Sequence, residues 1–63
     1  MLAWWNIEGT YESALVAAED AIEAMELIRF HHNYGGTWRF ATPKRVKLPG
    51  PPTVAGVYHY YGE

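Results

Sequence analysis

Acidic side chains recur at helical spacing in the first half of the chain. At about 100° per residue, Glu12, Glu19, Glu23 and Glu26 fall within an arc roughly 60° wide. This acidic ridge would extend about 21 Å along a helix that rises 1.5 Å per residue. Asp20 lies beside it. Such a face is typical of a solvated helix, but it would also suit a basic partner surface. We expect these five residues to bind a partner protein.

Apolar side chains close to the acidic ridge could supply the buried anchors of such an interface. Val16, Leu27 and Phe30 fall near the ridge and off the centre of the predicted core face. Acidic groups interleaved with a few apolar ones are what a protein-binding helix presents to a groove. The three residues are therefore included in the predicted binding surface.

Basic residues are confined to the part of the chain that follows Ile28. All five follow Ile28, whereas six of the seven acidic residues precede it. The two halves could neutralise each other within the fold, or they could pair between two copies in a homodimer. Together with nearby aromatic rings, the cations could instead bind phosphates and stack on unpaired bases, an alternative nucleic-acid surface. Its cations are Arg39, Lys44, Arg45 and Lys47, and its rings are Trp38, Phe40, Tyr58 and Tyr60.

Catalytic and metal-binding patterns are weak. His31 and His32 are adjacent, so on a helix they would point about 100° apart and could not easily share a metal ion. We expect them to interact with the helix C-terminus, and His59 to lie on a strand face. Cysteine is absent, and Ser13 is the only serine. The sequence therefore predicts a non-enzymatic protein with no cofactor and no metal.

Length and composition indicate one small domain that spans residues 1–63. The chain is 49% hydrophobic and 19% charged, with a net charge of −2, which argues against intrinsic disorder. Its apolar stretches are too short for a membrane span, and no signal peptide pattern is visible. We expect a soluble cytoplasmic protein that does not bind membranes. Because 16% of the residues are aromatic, some rings must remain at the surface or enter an interface.

The order of elements is predicted as strand, helix, strand, strand. Residues 2–7 are apolar and aromatic, as in a buried strand. Residues 11–31 contain neither glycine nor proline, which predicts a long helix capped by Thr10 and ended near residues 33–36. Strands follow at 37–42 and 53–61, and residues 44–48 form a bent continuation or an edge. The predicted fold class is α+β, one helix on a three- or four-stranded, mainly antiparallel sheet.

Two further expectations concern packing. On the predicted helix, a set of mainly apolar residues apart from the acidic ridge forms a stripe that should face the sheet. Gly56 marks a bulge or a close backbone approach, and the rings of residues 58–61 lie on both faces of the last strand. The predicted stripe consists of Tyr11, Ala14, Leu15, Ala18, Ala21, Ile22, Met25 and Ile28.

These patterns together predict a protein that binds and blocks a larger, nucleic-acid-handling partner with a basic surface. Small, cysteine-free, aromatic-rich chains are a common form of virus-encoded inhibitors of host defence, anti-CRISPR proteins included, which is an analogy of size and character. The alternative is a small nucleic-acid-binding or regulatory domain. Residues 10–15 with Ala17, Ala21 and Ile22 follow a helix pattern that many small α/β domains share, some antitoxin domains among them, and no family is assigned from it.

Overall fold

The computed structural model describes residues 1–9, 12–31 and 41–61. It contains one helix packed across a four-stranded antiparallel sheet, which confirms the predicted α+β class. Residues 10–11, 32–40 and 62–63 lie outside the described residues. The predicted cap Thr10, the predicted helix end and most of the strand at 37–42 lie among them. The elements are β1 (Ala3–Glu8), β2 (Ser13–Ala18), α1 (Ala21–His31), β3 (Thr42–Val46) and β4 (Gly56–Tyr61).

The sheet has the strand order β3-β1-β2-β4, so β1 and β2 are central and β3 and β4 are the edges. β1 and β2 form a hairpin, closed by a 2.7 Å hydrogen bond from the Gly9 N–H to the Glu12 carbonyl. The predicted first strand is confirmed. β3 is the edge strand expected at residues 44–48, but it begins at Thr42 and includes Pro43, which lies opposite Ile7. Pro43, which has no N–H to donate, is tolerated there because an edge strand pairs on one side only.

The long helix predicted over residues 11–31 is wrong in its first half. Residues Ser13–Ala18 form β2, which pairs with β1 on one side and β4 on the other. Backbone hydrogen bonds on both sides and burial on both faces stabilise the strand. These contributions outweigh the helix propensity of the residues, which is worth only about 0.5 kcal/mol per residue. The element order is therefore ββαββ instead of βαββ.

The helix begins after Asp20, which caps its first turn. The Asp20 Oδ1 accepts a 2.8 Å hydrogen bond from the Glu23 N–H, and the Glu23 Oε1 accepts one of 2.6 Å from the Glu19 N–H. The first helical bond runs from the Ala24 N–H to the Asp20 carbonyl. This reciprocal arrangement resembles a capping box and satisfies N–H groups that a helix start otherwise leaves unpaired.

The core lies between α1 and one face of the sheet. Its largest fully buried side chains are Ile7 on β1, Val16 on β2 and Ile28 on α1. Alanines fill the remaining central positions, and their small side chains allow α1 to lie close to β2. Trp5 and Tyr60 pack against the edges of this cluster. Within the described residues, no polar or charged side chain is buried.

A β-bulge shapes β4, shorter here than the predicted 53–61. Leu15 lies opposite His59, but the next residue, Val16, lies opposite Val57, so Tyr58 is the extra residue. Gly56 has φ +155°, and a Cβ there would meet nothing within 4 Å. The predicted bulge is thus found two residues beyond Gly56. Glycine is favoured at position 56 by the positive φ, and no neighbouring atom lies close enough to exclude a side chain there.

Candidate protein-binding surface

The acidic residues do not form the single ridge that the sequence predicted. Glu12 lies in the connection before β2, and Glu19 and Asp20 lie in the turn between β2 and α1. Only Glu23 and Glu26 are on the helix. The predicted single ridge is wrong because residues 13–18 form a strand and not a helix. This strand separates Glu12 from the later carboxylates.

Three of these carboxylates have local partners. Glu19 pairs with the amino group of Met1. Asp20 and Glu23 accept the backbone hydrogen bonds of the helix start. Their first role is therefore structural, whereas Glu26 is exposed near the middle of α1.

The predicted apolar anchors lie in three different environments. Val16 is fully buried in the central strand β2, so its assignment to an accessible surface is wrong. Leu27 is half-buried and packs against the core. Phe30 is 94% exposed, the environment an anchor for a partner requires.

The solvent side of α1 forms a compact surface, which we call the outer helix face: Ile22, Glu23, Glu26, Arg29 and Phe30. At 100° per residue these side chains span about 120°, with Glu26 near the centre, on the side opposite Ala24 and Ile28. Ile22 was predicted to face the sheet but is 74% exposed. Its predicted position depended on a helix register that includes residues 13–18. Ile22, Glu26 and Phe30 follow each other at intervals of four residues, about 12 Å from end to end.

The outer helix face combines apolar and charged groups in one stripe. Ile22 and Phe30 place large apolar side chains in water on either side of the exposed Glu26. Single exposed apolar residues are ordinary, but two that flank one charge at helical spacing match the pattern of a helix that docks into a groove. Sequence reasoning missed two members of this face, Arg29 and the exposed Ile22. The Asp20-x-x-Glu23 capping signal could have revealed Ile22, because it places the helix start correctly.

The three described basic residues of the alternative nucleic-acid surface are exposed but do not share one face. Lys44 lies opposite Asn6, and Arg45 lies opposite Trp5, whose ring packs against the core. Because neighbours across a ladder share a face, Lys44 lies on the helix-free face and Arg45 on the helix side. Lys47 follows β3 and is also exposed. Arg39, Trp38 and Phe40 lie outside the described residues.

Aromatic rings cover part of the helix-free face. Trp4 and Tyr58 stack edge to face with their ring centroids 4.9 Å apart, and the Tyr58 hydroxyl donates to the Val54 carbonyl at 2.6 Å. The His59 and Tyr61 rings are 4.2 Å apart. Tyr60 packs on the core while Tyr61 is exposed, which confirms that the rings of the last strand lie on both faces.

The histidines are distributed as follows. His59 lies on strand β4, as predicted. His31 is the last residue of α1, and His32 lies outside the described residues. Among the residues with described positions, no group of three or more His, Asp or Glu side chains could hold a metal ion.

Comparison of the chain with protein-family models, with curated proteins and with solved structures finds no match. In the described ranges, no helix has the length and apolar character needed to cross a bilayer. The inference of function therefore depends on the surfaces of this chain and on their chemistry.

Proposed function

We propose that this chain is a non-enzymatic binding protein that attaches to a larger protein through the outer helix face. The observation that supports this most strongly is the exposure of Ile22 and Phe30 on either side of Glu26. Both apolar side chains are in contact with water. Their transfer into an apolar groove of a partner would be favourable, because it removes apolar surface from water.

The energies are large enough for a specific interface. Full burial of an isoleucine or phenylalanine side chain contributes about 1.5–3 kcal/mol, so the two anchors could dominate the binding energy. Glu26 lies between them, where a partner's arginine or lysine would meet its carboxylate. The partner is therefore a protein with an apolar groove and a cation near the middle of that groove.

The charge of the surface supports an inhibitory role. Asp20 continues the negative charge of Glu23 and Glu26 beyond the start of the helix. A protein that reads nucleic acids uses cations to contact phosphates. Carboxylates on the outer helix face would compete for those cations, so the proposed partner handles nucleic acids and is blocked by binding. Cytoplasmic action, in a host cell if the chain is viral, belongs to the same proposal.

A site-specific crosslinking experiment tests the proposal. A photo-crosslinking amino acid replaces Arg29 within the outer helix face, and a matched control replaces Val54, which is 65% exposed but lies next to β4. The protein captured from position 29 is then purified, and its affinity is measured for the original chain and for Phe30→Asp, Ile22→Asp and Val54→Asp.

Phe30→Asp and Ile22→Asp should each weaken binding at least about tenfold, because they remove an anchor of about 1.4 kcal/mol or more. Val54→Asp should leave the affinity unchanged. Equal binding by all variants, or equal capture from position 54, would contradict the proposal. Capture of nucleic acid that is salt-sensitive and insensitive to Phe30→Asp would move the function to the alternative surface at Lys44, Arg45 and Lys47.

A further inference from the structure

A cleft lies at the end of the sheet where β1 begins and β3 ends. Its volume is about 610 Å³, within the range of about 300–1,000 Å³ that is usual for small-molecule sites. Its walls come from the start of the chain, from the end of β3, and from the proline-rich loop that follows. The lining residues are Met1, Leu2, Ala3, Trp4, Arg45, Val46, Lys47, Leu48, Gly50, Pro51 and Pro52.

The walls of the cleft are held together by specific contacts. The Trp4 Nε1–H donates a 2.9 Å hydrogen bond to the Gly50 carbonyl, which fixes the loop against β1. Trp4 is also held from the side by its edge-to-face contact with Tyr58. Gly50 has φ +85°, a conformation that glycine adopts without strain, and Pro51 and Pro52 restrict the loop further. The cleft is thus formed before any ligand enters.

The lining has a clear chemical character. Among the described residues that line it, Arg45 and Lys47 have the ionisable side chains, and both are positively charged. The amino group of Met1, which also lines the cleft, is paired with the Glu19 carboxylate. The other side chains are apolar. They include one aromatic ring, that of Trp4, and the branched side chains of Leu2 and Leu48. A cleft whose described lining is apolar apart from these cations favours a ligand that has an apolar body and an anionic end.

We propose that this cleft binds a small amphipathic anion, an apolar chain or ring that ends in a carboxylate or a similar acidic group. The apolar body would lie against Trp4 and Leu48, and the anionic end would meet Lys47 and, around the open edge of β3, Arg45. No residue of the outer helix face lines the cleft, so this inference is independent of the proposed function.

Octanoate is the probe that tests this inference, with octanol and octylammonium as matched neutral and cationic probes. Each is titrated into the ¹⁵N-labelled protein while backbone amide and indole signals are followed by NMR. Octanoate should shift the Trp4 indole N–H and the amides of Leu2 and Val46 in a saturable way. It should bind about five- to tenfold more tightly than octanol, because each of two exposed cations near a carboxylate raises the affinity a few-fold.

Charge variants identify the source of the selectivity. The double variant Arg45→Gln with Lys47→Gln should reduce octanoate affinity to that of octanol and leave octanol binding unchanged. The matched control is Lys44→Gln, which removes an exposed cation from the same strand but not from the cleft; it should retain the preference for octanoate.

Three outcomes would overturn the inference. Octanoate, octanol and octylammonium could bind equally, or Lys44→Gln could abolish the preference as fully as the double variant does. Finally, the same signals could shift with protein concentration in the absence of any probe, which would show that a second copy of the chain occupies the cleft.

Discussion

β2 and α1 follow each other in the chain and both contain alanine and leucine, which favour a helix, but they are buried to different extents. β2 lies between two strands, and its inward residue Val16 and its outward residue Ala17 are both fully buried. α1 lies on the sheet surface and buries one side only, with Ile28 inside and Phe30 in water. The strand is therefore enclosed by the fold, whereas the helix retains a solvent side.

This difference indicates which of the two elements can bind a partner without loss of stability. A central strand uses its backbone groups and both of its faces for the fold, so a change there affects stability. The helix satisfies its own backbone and needs only one face for packing, which leaves the outer helix face available for a partner. Substitutions that compare the two sides of α1, and then α1 with β2, test this division.

The largest expected effect comes from the buried side of the helix. Ile28→Ala should lower the free energy of unfolding by about 2–5 kcal/mol, because it opens a cavity between α1 and the sheet. The matched control is Phe30→Ala, which should change it by less than about 0.5 kcal/mol since the ring is in water. Urea unfolding followed by circular dichroism measures both. A loss for Phe30→Ala as large as that for Ile28→Ala would contradict the one-sided burial of α1.

A smaller effect is expected at the boundary between the two segments. Asp20→Ala should cost about 1 kcal/mol of unfolding free energy, because the N–H of Glu23 loses its 2.8 Å acceptor. Asp20→Asn keeps an oxygen acceptor at the same place and should retain most of the stability. If Asp20→Ala had no effect in the same urea experiment, the helix would not start where the structure places it.

The sequence predicts much of the fold because local signals and tertiary packing agree at most elements. The structure contains four of the predicted features: the aromatic strand β1, a helix on the sheet, an edge strand near Pro43, and rings on both faces of β4. β2 was missed because its alanine and leucine residues favour a helix locally, and only pairing with β1 and β4 makes the strand more stable. A capping signal at Asp20 and Glu23 was present, but an uninterrupted run of helix-forming residues concealed it.

The binding surfaces are less predictable than the fold. Glu23, Glu26 and Phe30 were recognised, but the missed helix start placed Ile22 in the core and Val16 near the surface. The cleft could not be predicted, because it depends on the contact between Trp4 and Gly50, which are 46 residues apart in the chain. Neither periodicity nor composition carries information on such a contact.

The smallest predicted effect compares one substitution in the two segments directly. Leu15 on β2 and Leu27 on α1 are both half-buried, so Leu→Val removes one methylene from a similar environment at each site. Valine is favoured in strands and disfavoured in helices, by a few tenths of a kcal/mol in each case. Leu27→Val should therefore lower the free energy of unfolding by about 0.5 kcal/mol more than Leu15→Val does. Paired urea titrations can resolve this difference. A larger loss at Leu15 would mean that packing on the helix-free face outweighs backbone preference in the central strand.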